Sequence, residues 1–178
     1  DMIVCDREGF KVDGPPGSTQ CFEVKMHSCI YKARPDVLSI THVHPRFLVL
    51  MTTLRQRLRP MCQEGIEIVR DELPMYQHVK TIQSEAEGQE VAGLLGNSRA
   101  ILFRGHGAAT TGKSPEDSVM TMLQLEEHAR FNYYAFAAMG EDPPYKHRVV
   151  FAGRIIAPRL ARRAVDCFGK VVVRARID

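Results

Sequence analysis

His42-Val43-His44 is the segment of this chain best suited to chemistry. Residues i and i+2 of an extended strand point to one side, so both imidazoles can address a single ion from about 2.0–2.1 Å each. The same spacing also suits two polar residues at a strand exit, and a third donor is what separates the two readings. His106 is the candidate, because Gly105 and Gly107 on either side let the backbone turn tightly and bring the ring out at a strand end. Loops at one edge of a sheet converge, which would carry His106 towards the H-x-H pair; the alternative is a loop histidine that merely caps its surroundings.

The elements that must position these side chains can be read from periodicity. Met2 to Val12 reads as a hairpin joined around Glu8-Gly9, and Gly14-Pro15-Pro16-Gly17-Ser18 as a loop. Phe22, Met26 and Ile30 recur every four residues, the spacing of one helix face, and Arg34-Pro35-Asp36 ends that helix; Glu23 and His27 share a neighbouring face. Val37 to Val43 is a β-branched strand with a polar tip, and Pro45 suits the first turn of a helix through Phe47, Leu50 and Leu54. Ser84-Glu85-Ala86-Glu87 has the form of a capping box, opening a helix that ends at Gly96 as a left-handed C′ residue. Ala100 to Phe103 is a short buried strand, and Ser114-Pro115-Glu116-Asp117 starts the longest helix, which continues to Gly140. A helix near Ala161 to Phe168 and a strand at Val171 to Arg174 close the chain. Strands alternating with helices, with a hairpin among them, predict an α/β sandwich around a mixed sheet.

Composition narrows the classes of function. The chain has 178 residues, 44% apolar and 25% charged, as expected of one domain spanning 1–178 with no low-complexity tract or repeat. The net charge of +3 comes from basic residues scattered among acids, so no nucleic-acid partner is expected. The exceptions, Arg55, Arg57 and Arg59 with Arg159, Arg162 and Arg163, read as a solvated face. No apolar run approaches the ~20 residues that cross a bilayer and no signal peptide is present, so no membrane partner and a cytoplasmic location are expected. Five cysteines, Cys5, Cys21, Cys29, Cys62 and Cys167, form no C-x-x-C pair and read as reduced thiols. His78, His128 and His147 lie outside any motif and read as surface or structural residues, and Arg104 and Arg130 suit either a substrate carboxylate or an ion pair with Glu126 or Glu127.

Taken together, Thr41-His42-Val43-His44-Pro45 and Arg104-Gly105-His106-Gly107-Ala108 with Gly112 resemble the class II aldolase/adducin family. Glu23, His27, Tyr31 and Arg34-Pro35-Asp36-Val37 extend the match upstream, so that it covers about residues 1–145. The resemblance implies the family's α/β fold: a mixed, largely antiparallel central sheet sandwiched between helices. It implies that His42, His44 and His106 hold one divalent ion, zinc with manganese as the alternative, and that Glu23 is the acid/base. Three neutral imidazoles leave such an ion its charge and an open position for a substrate oxygen, and a carboxylate nearby moves the proton. The resemblance further implies a homo-oligomer, a tetramer with the site near a subunit interface. It also implies a family segment upstream of Asp1, because the chain opens on what looks like the third or fourth element of that fold.

One departure bears on substrate. Sugar-phosphate members of the family carry a serine pair immediately before the glutamate, where this chain has Cys21 and Phe22, a thiol and a phenyl that are poor phosphate donors. The family also contains decarboxylases of hydroxylated aromatic carboxylates, and Leu125-Glu126-Glu127-His128-Ala129-Arg130 looks like that branch. The expected function is therefore a metal-dependent carbon–carbon lyase, a decarboxylase or aldolase, acting through a metal-stabilised enolate on a small non-phosphorylated hydroxy-carboxylate, with Arg104 as a candidate carboxylate partner. The alternatives are a sugar-phosphate aldolase or epimerase of the same family, and a non-enzymatic adducin-like binding module.

Overall fold

Side-chain alternation along one short strand sets the layering. The computed structural model describes residues 2–139; the expected elements at 161–168 and 171–174, the end of the long helix at Gly140, His147, Cys167 and the arginines at 159, 162 and 163 lie outside them. In β5 (Ala100–Phe103), Ile101 and Phe103 pack with Met26, Ile30, Val91 and Leu95 on one face. Ala100 and Leu102 pack with Leu48, Met51, Met122 and Leu125 on the other. A strand buried on both faces needs a helical layer on each side. Helices α1 (Val24–Ala33) and α4 (Glu85–Leu95) form the first layer; α2 (Arg46–Thr53) and α5 (Pro115–Met139) form the second, with the short α3 (Ile66–Val69) beside α5.

The sheet runs β3 (Ser39–Val43), β6 (Gly107–Gly112), β5, β4 (Met75–Tyr76). Strand β6 is antiparallel to both neighbours and β4 is parallel to β5, which gives the mixed, largely antiparallel sheet expected. A separate hairpin pairs β1 (Val4–Cys5) with β2 (Lys11–Asp13). The Ser84 capping box forms in full: the Ser84 hydroxyl accepts from the Glu87 N–H and the Glu87 carboxylate accepts from the Ser84 N–H. Among the described residues no helix is long and apolar enough to cross a membrane.

Three expectations are revised. Phe22 is not on the buried face of α1: the helix begins at Val24, Glu23 is its N-cap, and Phe22 is 85% exposed while Met26, Cys29 and Ile30 are buried. Helix α2 buries Leu48, Met51 and Thr52, leaving Leu50 and Leu54 exposed. Gly96 closes α4 with φ 49° and ψ −127°, a positive φ outside the left-handed helical well. Strands β4 and β6 and helix α3 appear without having been anticipated; β6 reads Gly-Ala-Ala-Thr-Thr-Gly, whose small side chains give no apolar alternation to detect.

Candidate metal centre

Antiparallel pairing is what brings the histidines together. Strand β3 pairs with β6 so that His42 faces Ala109 and Val43 faces Ala108. The end of β3 therefore lies beside the start of β6, and the β5–β6 turn that carries His106 meets His44. That turn needs its glycines. Gly105 has φ +61°, and a Cβ on Gly107 would sit 2.4 Å from the Val43 carbonyl oxygen and 2.8 Å from His44 Cδ2.

Four donor groups converge there: single ligand atoms from Glu23, His42, His44 and His106 all lie within 4.8 Å of one another. His42 Nε2 is 2.8 Å from Glu23 Oε2 and 3.3 Å from His44 Nε2, and His106 Nε2 is 3.5 Å from Glu23 Oε2. The ring of His42 is fixed from behind, with Nδ1 2.9 Å from the Ala108 carbonyl oxygen. A carbonyl only accepts, so Nδ1 carries the proton and donates, and Nε2 turns its lone pair towards the other donors. Phe103 packs edge-on against the same ring at 5.3 Å between centroids.

The donor set fits a divalent ion. Three imidazole nitrogens and one carboxylate oxygen are the ligands zinc prefers, and ligand atoms around a tetrahedral ion with bonds of about 2.0–2.1 Å are about 3.3 Å apart. The separations of 2.8, 3.3 and 3.5 Å bracket that edge. Lone pairs and a carboxylate turned on one another need a positive charge among them, which an ion provides.

Electrostatics keep these donors in a form suited to an ion. Burial pushes the His44 imidazole below its ordinary range, with the neighbouring His42 and His106 adding to the effect; burial does the same to His106, partly opposed by Glu23. Both are neutral at neutral pH. For Glu23 burial acts upward and is the largest single effect, but its contacts with His42, the Ile82 N–H and His106 together outweigh it and hold the carboxyl at about 2. Glu23, only 9% exposed, is therefore an ionised carboxylate facing three imidazoles.

The remaining candidates separate. Arg104 is half-buried beside the His106 turn, and its backbone N–H donates to the Tyr76 carbonyl at 3.0 Å. Arg130 pairs with Glu127 on its own helix. His27 is buried with Nδ1 unpartnered among the described residues. His128 is buried against Cys62, and His78 is exposed near Glu90. Two participants carry no signal in the sequence. One is the Ile82 backbone N–H, which donates to Glu23 Oε1 at 3.1 Å from an irregular segment. The other is Thr52, whose Oγ1 accepts from the Gly105 N–H at 3.1 Å.

The chain is similar to known proteins in sequence and in fold. The model of the class II aldolase and adducin N-terminal domain family matches residues 1–133. Two curated relatives, both 3,4-dihydroxyphthalate decarboxylases, align: that of Rhodococcus jostii is 29% identical over 122 residues, 66% of this chain and 50% of the relative. That of a Terrabacter species is 24% identical over 148 residues, 79% of this chain and 61% of the relative. The chain thus spans between half and about three fifths of these relatives. Among solved structures, an aldolase II superfamily protein from Pseudomonas syringae has the same fold, with a TM-score of 0.69 at 22% identity over 91% of this chain and 61% of that one. L-fuculose-1-phosphate aldolase from Thermus thermophilus gives a TM-score of 0.60 at 27% identity over 76% of this chain and 72% of that one.

Proposed function

Because the chain belongs to the class II aldolase and adducin N-terminal domain family, we propose that His42, His44 and His106 hold one divalent ion beside Glu23. We further propose that this centre breaks a carbon–carbon bond in a non-phosphorylated hydroxy-carboxylate, by decarboxylation or aldol cleavage. The observation that carries the reading is the convergence of three imidazoles and one carboxylate within 4.8 Å. A divalent ion, zinc or alternatively manganese, supplies Lewis-acid chemistry when bound there, stabilising the negative charge that develops on the substrate.

The residues supply the rest. The Ala108 carbonyl fixes the tautomer and angle of His42, and the glycines of the β5–β6 turn hold His106 against His44. Glu23 is the one carboxylate in the cluster and moves the proton. In aldol cleavage it accepts the proton of the hydroxyl whose carbon departs as an aldehyde, then returns it to the carbon that keeps the electron pair. In decarboxylation carbon dioxide departs, and the carbon left behind is protonated through Glu23 from water. Arg104, next to the turn, is assigned to the substrate carboxylate, a planar anion that a guanidinium holds bidentately.

Two features favour a carboxylate over a phosphosugar. Cys21 and Phe22 precede Glu23, and Phe22 is exposed, presenting a phenyl where a phosphate would need hydroxyls and amides. The two curated relatives named above are decarboxylases. The second reading, a sugar-phosphate aldolase or epimerase, draws on the likeness to the Thermus thermophilus aldolase. A binding module without chemistry has no use for the converged histidines.

The test is elemental analysis of the purified protein and of His44→Ala, followed by turnover on hydroxylated aromatic carboxylates and ketose 1-phosphates with carbon dioxide and aldehyde both monitored. The expected result is about one divalent ion per chain, lost in His44→Ala, and turnover of a carboxylate that falls about 10²–10⁴-fold in Glu23→Gln. Undiminished metal in His44→Ala sinks the ligand assignment. Phosphosugars preferred by about tenfold or more, equal to about 1.4 kcal/mol at the transition state, make the chain a sugar-phosphate enzyme instead.

A further inference from the structure

Helix α2 touches both arms of the centre. At its start, His44 is separated from the first helical residue, Arg46, only by Pro45, which serves as N-cap with no side chain to offer the free N–H groups. At its other end Thr52 accepts a hydrogen bond from Gly105, the neighbour of His106, and donates one to the Val49 carbonyl at 2.9 Å. A slide or tilt of this eight-residue helix therefore changes the separation of His44 and His106.

The start of α2 is held from another helix. Glu126 of α5 places Oε1 2.9 Å from the Phe47 N–H and Oε2 3.0 Å from the Leu48 N–H, so one carboxylate caps two of the donors that every helix start leaves unpaired. Charge-assisted bonds of this kind are roughly twice as strong as neutral ones, and an anion at a helix N-terminus is favoured by the helix dipole. Glu126 is itself anchored, since Leu125 and Ala129 beside it on α5 are fully buried. Burial pushes its carboxyl up, opposed by the two N–H groups and by Arg46, with Glu127 adding to the upward push.

We propose that Glu126 is a positioning residue for the metal centre: by clamping the first turn of α2 it sets His44 against His106. This rests on the reading of those histidines as ligands and adds to it a residue from a different helix that touches none of them. It also separates Glu126 from its neighbour Glu127, which is spent on Arg130 at the surface. Removing a group that orients a ligand typically weakens metal binding by about 10–100-fold.

The test is a zinc titration against a chelating dye, done well below the melting temperature, on the wild-type chain, Glu126→Ala, Glu126→Gln and Thr52→Val, with thermal unfolding of each metal-free protein alongside. Glu126→Ala is expected to bind zinc about 10–100-fold more weakly while still folded. Glu126→Gln, which keeps one carbonyl acceptor, loses less, and Thr52→Val, which frees the far end of α2, also weakens binding. If Glu126→Ala melts earlier but binds zinc as tightly as the wild type, the residue is merely structural and the proposal is overturned. If Glu126→Ala does not fold, unchanged affinity in Glu126→Gln and Thr52→Val together overturns it. A wild-type chain that binds no zinc overturns the reading of the centre and the clamp with it; tight wild-type binding with unaffected variants overturns the clamp alone.

Discussion

Around the centre, burial lowers the imidazoles of His44 and His106, and His27 shows the effect most cleanly because it lies outside the donor cluster. It lies one helical turn beyond Glu23 and is 4% exposed. Burial, with repulsion from His42 and against the attraction of Glu23, lowers its imidazole from 6.5 to about 4. Above pH 6.5 both folded and unfolded chains carry it neutral, so it contributes no pH dependence there. As the pH falls from 6.5 towards 4 the unfolded chain takes up a proton that the folded chain refuses, and stability is lost through that window. The wild type is therefore expected to lose about 2 kcal/mol more than His27→Leu between pH 7 and pH 5, read from urea unfolding of both proteins at the two pH values. Parallel losses in the two proteins would show that His27 titrates normally.

A helix or strand contributes to the site by where it ends, and close approach at those ends is what the sequence makes visible. Gly107 is the sharpest case: with a Cβ 2.4 Å from the Val43 carbonyl, Gly107→Ala must push the β5–β6 turn off β3. The expected loss is about 1–3 kcal/mol of stability, with zinc affinity falling as well because His106 moves with the turn; a variant that melts and binds like the wild type would mean the turn has room the structure does not show. Such residues were legible because the chemistry restricts the residue type: a glycine where backbones touch, a histidine pair on one strand face, a serine and glutamate at a helix start. Strand β6 was not legible, since Ala109 packs into the core on one face and Ala108 into the core on the other, with Thr110 and Thr111 also buried, so small side chains buried on both faces leave no apolar alternation. Phe22 misled for the opposite reason. Its spacing matched the buried face of α1, but the chain must turn Glu23 inward at the N-cap, and that leaves its neighbour facing out. The carboxylate of Glu126 and the N–H of Ile82 act through tertiary contacts between segments far apart in sequence, which periodicity does not record.

The molecule as a whole presents its centre at the surface. His44 is the exposed member of the cluster, and Phe22, beside the acid/base candidate, is 85% exposed. On the opposite helical layer Leu50, Leu54, Phe131 and Tyr134 are also exposed, on helices whose other faces are buried. Large apolar side chains left in water at about 25 cal/mol per Å² favour association wherever a complementary surface exists. A second copy of the chain would supply that surface, covering apolar side chains and narrowing the entrance beside His44. We accordingly propose that the active form is a homo-oligomer, a tetramer, and that neighbouring copies complete the centre. Sedimentation and specific activity measured across the same dilution series check this. The expected result is a species of about four copies at micromolar concentration, with activity per chain falling as it dissociates, because mass action links assembly to the completed site. Full activity per chain in a species that sediments as a single copy would show that the centre is complete within one chain, and the exposed apolar side chains would then need a different partner.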